Sequence, residues 1–259
     1  MARRAVFPDA PRPLILAHRG FSRLYPENTM KAFEAAYDAG AHAIELDVQV
    51  CSTGEVVVFH DYTTERVTGS PGRVDETGWR RLSELRVHET EAIPLLREVF
   101  DRFGDRLCYD IEIKHKVHGP SGIEEALVSM ISSRGLERRC LVSSFNPYAV
   151  KEIRRISETI PVAIIYSHDS EVPRILRSGF GRYMCQADAL KPDHAQYHGM
   201  HARIARMQSR EVFVWTVDDA QVMKECVARG AAGVITNDPA LAGGALYNRP
   251  PQDGQSPSD

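Results

Sequence analysis

The stretch LILAHRGFSRLYPENTMKAFEAAYDAGAHAIELDVQV, residues 14–50, decides the fold. It opens on the apolar run Leu14–Ala17 and closes on Ala43–Val50, where Ile44, Leu46 and Val48 form one face and Glu45 and Asp47 the other. Between the two extended runs, Thr29–Ala39 carries good helix formers, and Gly40 follows as a helix stop. A strand, a helix and a second strand make the crossover that parallel neighbours require.

Working outward, the same alternation continues. Extended stretches recur at VVVF (56–59), LCYDIEI (107–113), CLVSSF (140–145), VAIIY (162–166), RYMCQ (182–186), VFVWTV (212–217) and GVIT (233–236). Helical patterns fall at Leu95–Phe103, Ile123–Arg134, Pro147–Ile156, Val172–Arg177, His194–Gln208 and Ala220–Arg229. Over 259 residues this predicts a TIM (β/α)8 barrel. An open doubly wound sheet is the weaker alternative, because no Gly-x-Gly-x-x-Gly follows the first strand. Two irregularities remain. There is one extended stretch too many for a barrel, RYMCQ being the weakest, and the link CSTGE (51–55) is too short for a crossover helix. The expected organisation is a single barrel domain over 1–243, with a small polar insertion at 62–91. The Pro- and Ser-rich segment 244–259 is expected to be a disordered tail.

Composition excludes more than it selects. A formal net charge of −3 gives no argument for nucleic acid or an anionic membrane surface. No window has the length and apolarity of a transmembrane helix, and MARRAVFPDAPRP lacks the apolar run of a signal peptide. The cysteines at 51, 108, 140, 185 and 226 stand singly and read as buried reduced thiols. The expected setting is the cytoplasm, with a small-molecule partner and no stable membrane anchor. Homo-oligomerisation is neither implied nor excluded.

In a barrel, polar residues near strand C-termini converge on one face. Four such groups occur: His18 and Arg19, Glu45 and Asp47, His60 and Asp61, Glu112 and Lys114. Carboxylates pointing into a barrel need positive charge, either from Arg19 or Lys114 or from a metal ion. Glu45, Asp47 and Glu112 offer only hard oxygen ligands, which suit Mg²⁺ or Ca²⁺, and the lack of cysteine among them argues against zinc. Two histidines supply an acid and a base, while Arg19 and Lys114 suit a phosphate group. The set points to metal-assisted phosphoryl transfer. His194, His198 and His201 read as a surface helix face, and His115 and His118 as residues edging the pocket.

AHRG, PENT (26–29), GAHAIELDVQV, VVVFHD, IEIK, SSFN, WTVD and GVITNDP run in order from Leu14 to Pro239. Together they resemble the motifs of the glycerophosphodiester phosphodiesterase family. The resemblance implies a TIM barrel with one divalent ion, Mg²⁺ or Ca²⁺, on Glu45, Asp47 and Glu112. It makes His18 and His60 the general acid and base, with Arg19 and Lys114 on the phosphate. Asn28 would lie close by, Phe145 and Trp215 would wall the glycerol, and Tyr62–Glu91 would match the family's insertion. This chain departs from the family pattern at His42, where aspartate is common, and at Asp218, where asparagine is common. The expected reaction releases glycerol 3-phosphate and an alcohol. His18 is provisionally the base and His60 the acid, and either the glycerol 2-hydroxyl or water is the nucleophile. Rival readings are lysophospholipid cleavage, a sugar isomerase or aldolase, and a silent phosphodiester-binding barrel. Because His60 must reach the same mouth as Glu45 and Asp47, the CSTGE link is expected to return along the barrel, leaving VVVF parallel to its neighbour.

Overall fold

Alternation decides which way each residue of a barrel strand points. In β1 (Leu14–His18), Leu14 and Leu16 face the barrel interior, while Ile15 and Ala17 pack under the helices. The computed structural model describes residues 5–114, 121–170 and 172–250. After β1 comes α1 (Met30–Asp38), capped by Thr29, whose hydroxyl accepts the Ala32 N–H. Gly40, at φ 77°, makes the turn into β2 (Ala43–Val50) and β3 (Val56–Val58). An excursion follows through α2 (Glu65–Thr68), α3 (Trp79–Leu82) and the short ribbon β4 (Arg86–Val87) and β5 (Glu91–Ala92). It buries a small core of its own around Val57, Phe59, Val74, Leu82 and Leu95.

The alternation then resumes: α4 (Leu96–Phe103), β6 (Cys108–Ile113), α5 (Ile123–Ser132), β7 (Cys140–Ser144), α6 (Pro147–Ile156) and β8 (Val162–Tyr166). It ends with α7 (Gly181–Met184), β9 (Ala189–Pro192), α8 (Gly199–Met207), β10 (Glu211–Val214), α9 (Ala220–Ala228), β11 (Gly233–Thr236) and α10 (Pro239–Tyr247). Strands β1, β2 and β6 to β11 pair in parallel, and β1 hydrogen-bonds to both β11 and β2, which closes the barrel. This is the eightfold architecture the alternation predicts. The barrel floor is apolar, built from Leu14, Leu16, Ala43, Leu141, Phe213 and Ile235, with Val6 and Phe7 plugging it from below. All five cysteines are buried and unpaired. Among the described residues no helix is long and apolar enough to cross a membrane.

Several expectations are corrected. VVVF does not run parallel to its neighbour: β3 pairs antiparallel with β2, Val48 facing Val58 and Val50 facing Val56. The hairpin is possible because β2 outruns the barrel. It is paired with β1 as far as Glu45 and with β6 as far as Val48, and Gln49 and Val50 extend past both neighbours. CSTGE turns the chain there, and the Phe59 N–H returns to the Asp47 carbonyl at 2.9 Å. His60 therefore arrives at the mouth from above. RYMCQ is no strand; its first half forms α7. The strand in that part of the barrel is Ala189–Pro192, whose buried Lys191 interrupts the apolar signal. The helix expected over Val172–Arg177 is absent, and residues 174–180 form turns. His194–Gln196 is a separate 3₁₀ turn, and α8 begins only at Gly199. The last helix crosses residue 243 and runs to Tyr247, beyond which Arg249 donates to the Gly40 carbonyl at 2.6 Å. Residues 251–259 of the expected tail lie outside the described residues, as do His115 and His118.

Candidate active site

Parallel register converts two local patterns into one ladder of charge. Glu45 sits beside Asp110 and Asp47 beside Glu112 across the β2–β6 pair. Every second residue of both strands faces inward, so acidic groups stack above the apolar floor. Lys191 of β9 enters the lower layer, its Nζ 2.8 Å from Asp110 and 3.0 Å from the Ser143 hydroxyl. Both Lys191 and Asp110 are fully enclosed, at 2% and 0% exposure. Above them, Glu45, Asp47 and Glu112 each present an oxygen within 4.8 Å of the others. Among the described residues this is the three-ligand cluster.

Cations and amides hold the trio in place. Lys114 Nζ lies 2.6 Å from Glu112 and 3.2 Å from Asp47. Arg19 lies 3.3 Å from Asp47 through Nε, donates to Glu27 at 3.0 Å through Nη1, and its backbone N–H donates to Glu45 at 3.1 Å. Asn28 grips Asp47 twice: its Nδ2 donates to Oδ2 at 2.8 Å and its Oδ1 accepts the Asp47 N–H at 3.3 Å. Arg19 and Asn28 adopt φ values of 55° and 57°, a left-handed conformation uncommon for residues with a side chain. Their backbones are joined by an Asn28 N–H to Arg19 carbonyl bond of 2.9 Å. Such strain is found where a fold over-determines the position of a functional group.

Electrostatics separate the members. Burial, reinforced by the Asp47 carboxylate, raises Glu45 well above the usual carboxylate range. Burial would raise Asp47 as well, but Lys114 and Arg19 outweigh it and hold Asp47 well below that range. Burial works against the Lys114 ammonium, yet Glu112 and Asp47 keep it charged. The Glu45 carboxylate thus lacks a full counter-charge, and two cations against three carboxylates leave a site whose oxygen-only donors fit a hard divalent ion.

The histidines flank this cluster. His18 caps β1 inside a cleft of about 400 Å³ shared with Arg19, Ser22, Glu27, Asp218 and Asn237. Burial, then the neighbouring Arg19, push its pKa down to about 4. Its Nδ1 lies 2.7 Å from the Asn237 side-chain oxygen. His60 Nδ1 lies 2.6 Å from Asp61. Arg66 of the insertion ties Asp61 to Glu27, 2.7 Å from the latter. Gln49, the next inward residue of β2 after Glu45 and Asp47, donates to the carbonyls of Phe59 at 2.9 Å and Asp61 at 2.7 Å, which pins the His60 loop. Extending the Glu-x-Asp pattern by one step to Gln49 was the available signal for this residue. Glu27 lies within PENT and Asp110 precedes Glu112 by the same two-residue step, whereas Arg66 and Lys191 had no such signal. Phe145 and Trp215 meet edge to face, their ring centres 5.6 Å apart, and the Trp215 Nε1–H donates to the Lys191 carbonyl at 2.8 Å. His198 and His201 touch each other, while His194 sits on a different turn, so the three do not form a stripe.

Residues 18–241 match the model of the glycerophosphoryl diester phosphodiesterase family. A glycerophosphodiester phosphodiesterase of Caldanaerobacter subterraneus subsp. tengcongensis is 32% identical over 236 residues, 88% of this chain and 95% of that protein. Among solved structures, the glycerophosphodiester phosphodiesterase of Thermotoga maritima superposes with a TM-score of 0.73 at 26% identity, covering 88% of this chain and 96% of that one. An Oleispira antarctica phosphodiesterase, solved with its product sn-glycerol-3-phosphate, shares the fold with a TM-score of 0.75 at 22% identity, covering 91% and 97%. A match that spans the barrel from the first histidine to the last helix means that this chain belongs to the glycerophosphoryl diester phosphodiesterase family.

Proposed function

We propose that this glycerophosphodiester phosphodiesterase is metal-dependent and cleaves its substrate with His18 and His60 as a proton-transfer pair. One observation carries the reading. Three buried carboxylates lie within 4.8 Å of one another with two cations bonded to them, His18 lines the adjoining cleft, and His60 is linked to Arg19 through Asp61, Arg66 and Glu27. Glu45, Asp47 and Glu112 would hold one divalent ion, Mg²⁺ or Ca²⁺. When bound, such an ion neutralises charge on the phosphate oxygens.

The chain's own groups do the rest. Arg19, held flat between Glu27 and Asp47, directs a planar set of donors at the phosphodiester. Lys114 adds a second positive charge beside Glu112. Asn28 keeps Asp47 in orientation by its two bonds. The edge-to-face pair Phe145 and Trp215 gives the glycerol backbone an apolar wall. His18 takes the proton of the attacking hydroxyl, either the glycerol 2-hydroxyl or water, and His60 returns one to the departing alcohol. The product bound by the Oleispira antarctica protein is glycerol 3-phosphate, the product expected here.

The test is a pair of variants. His18→Ala and His60→Ala are each expected to lose at least about 100-fold in kcat, the typical contribution of one positioned acid or base. Both should unfold at the wild-type temperature or above. Near-normal turnover by either variant on glycerophosphocholine, glycerophosphoethanolamine and glycerophosphoglycerol would remove the histidine pair from the reaction. A lysophospholipid included in the same panel, if turned over faster than every glycerophosphodiester, would replace the substrate class.

A further inference from the structure

We propose that Asn237 and Asp218 are positioning residues that hold His18 in the tautomer protonated at Nδ1, leaving Nε2 to accept the proton. This rests on the two-histidine reading above and goes beyond it by naming the residues that hold His18 ready to act as the base.

The two ends of the Asn237 amide cannot be exchanged. Asp218 Oδ2 lies 2.6 Å from one end of the Asn237 amide. Its Oδ1 accepts the Asn237 backbone N–H at 2.8 Å and the Thr236 hydroxyl at 2.9 Å. An ionised carboxylate only accepts, so the end of Asn237 that faces it is the NH₂. The other end is therefore the carbonyl oxygen, and it lies 2.7 Å from His18 Nδ1 and 2.8 Å from the Ser22 hydroxyl. A carbonyl oxygen has no hydrogen to give, so the hydrogen in the His18–Asn237 bond sits on Nδ1. In the neutral ring Nε2 is then bare. The Ser22 hydroxyl also reaches the His18 carbonyl at 2.7 Å, which fixes the backbone from which the ring hangs.

His60 is supported differently. Its Nδ1 faces the Asp61 carboxylate at 2.6 Å rather than an amide. A carboxylate only accepts, so the hydrogen of that bond sits on His60 Nδ1, and its support is anionic where that of His18 is a neutral amide. The two supports therefore divide the labour. The hydroxyl proton of the nucleophile moves to His18 Nε2 as its oxygen forms the new bond to phosphorus. The bond from phosphorus to the alcohol oxygen breaks, and that oxygen takes the Nε2 proton of His60. Proton count and charge balance across the pair.

Ring-¹⁵N NMR of the full chain reads the tautomer directly, with the His18 signals assigned by their loss in His18→Gln. The wild type is expected to show Nδ1 protonated and Nε2 bare at neutral pH. Asn237→Leu keeps the shape but removes the amide, so the ring should shift toward the Nε2-protonated form. Its kcat should fall about 10–100-fold, the scale on which outer partners of functional histidines act, with KM within about twofold. Asp218→Ala, at an exposed position, frees the amide to rotate and should give the same two changes to a lesser degree. Asp218→Asn, which keeps an oxygen for the Asn237 NH₂, should recover part of the loss. A wild-type ring protonated at Nε2, or an unchanged tautomer and kcat in both Asn237→Leu and Asp218→Ala, overturns the assignment. If the assignment fails while His18→Ala and His60→Ala remain inactive, the histidine pair stands and only the relay is wrong.

Discussion

Lys191→Met probes the charge ladder beneath the active mouth. In the native barrel the Lys191 ammonium is 2% exposed and lies 2.8 Å from Asp110, which is 0% exposed. Methionine fills nearly the same space but leaves the Asp110 carboxylate, among the described residues, with only the Ser143 hydroxyl, at 3.1 Å, for support. Breaking a buried pair by removing one partner costs about 3–5 kcal/mol, because the other charge stays enclosed and unpaired. In a chain of this size each kcal/mol lowers Tm by about 2–4 °C, so the expected fall is about 6–20 °C. The double variant Lys191→Met with Asp110→Asn removes both charges and should recover at least half of that loss. The assay is thermal and urea unfolding of all four proteins, with the urea slope checked for constancy so that the midpoints can be compared. A Lys191→Met protein that melts within 2 °C of wild type would refute the reasoning. So would a double variant whose loss equals the sum of the two single losses.

Gly20 takes φ 84° directly after His18 and Arg19, and a Cβ built there would lie 2.7 Å from backbone carbon of Ala32. Overpacking and the left-handed backbone together make Gly20→Ala cost about 2–4 kcal/mol, seen as a fall in Tm and a loss of turnover. Retained Tm and activity would show that β1 and α1 can separate without harm. His42 accepts the Ile15 N–H on Nδ1 at 3.0 Å, and burial, then Arg249, push its pKa down to about 4 from an ordinary 6.5. Its contribution is therefore complete above pH 6.5 and is lost as pH falls toward 4, where the unfolded ring binds a proton that the folded ring refuses. The full shift is discounted for partial exposure to about 1–2 kcal/mol. Urea midpoints between pH 7 and pH 4 should show this slope in the wild type and a shallower one in His42→Gln; equal slopes would contradict it.

The sequence pattern reveals the upper half of the site because strand alternation and parallel register are both simple rules. Glu45, Asp47, Glu112 and Lys114 share one face of two neighbouring strands, and nothing in the tertiary structure had to be known to see it. His18 and His60 follow from their places at strand ends, yet the route of His60 does not. Whether β2 stops at the rim or climbs above it is set by pairing with β3, not by the composition of CSTGE. The strand Ala189–Pro192 is hidden by its own chemistry: Lys191 is polar in sequence and enclosed in the fold, and only its partner Asp110, on a distant strand, explains it. RYMCQ misleads in the opposite sense, being apolar enough for a strand while its Tyr183 side chain faces solvent from a short helix. The Asp218–Asn237 contact spans 19 residues and two strand ends, a separation at which no local pattern operates. The site's backbone was thus legible where it obeys a period, and its supporting bonds were not, because they depend on which strand ends the closed barrel brings together.

The proposed dependence of glycerophosphodiester cleavage on a hard divalent ion rests on Glu45, Asp47 and Glu112. Its most direct test is the initial rate of glycerol 3-phosphate release from glycerophosphocholine by protein stripped with EDTA and then supplied with Mg²⁺ or Ca²⁺. The expected result is a loss of at least about 100-fold on stripping, with recovery on addition of one of the two ions. In Glu45→Gln, one carboxylate fewer, recovery should be absent or need far more ion. A stripped protein that turns over at the wild-type rate would contradict the account.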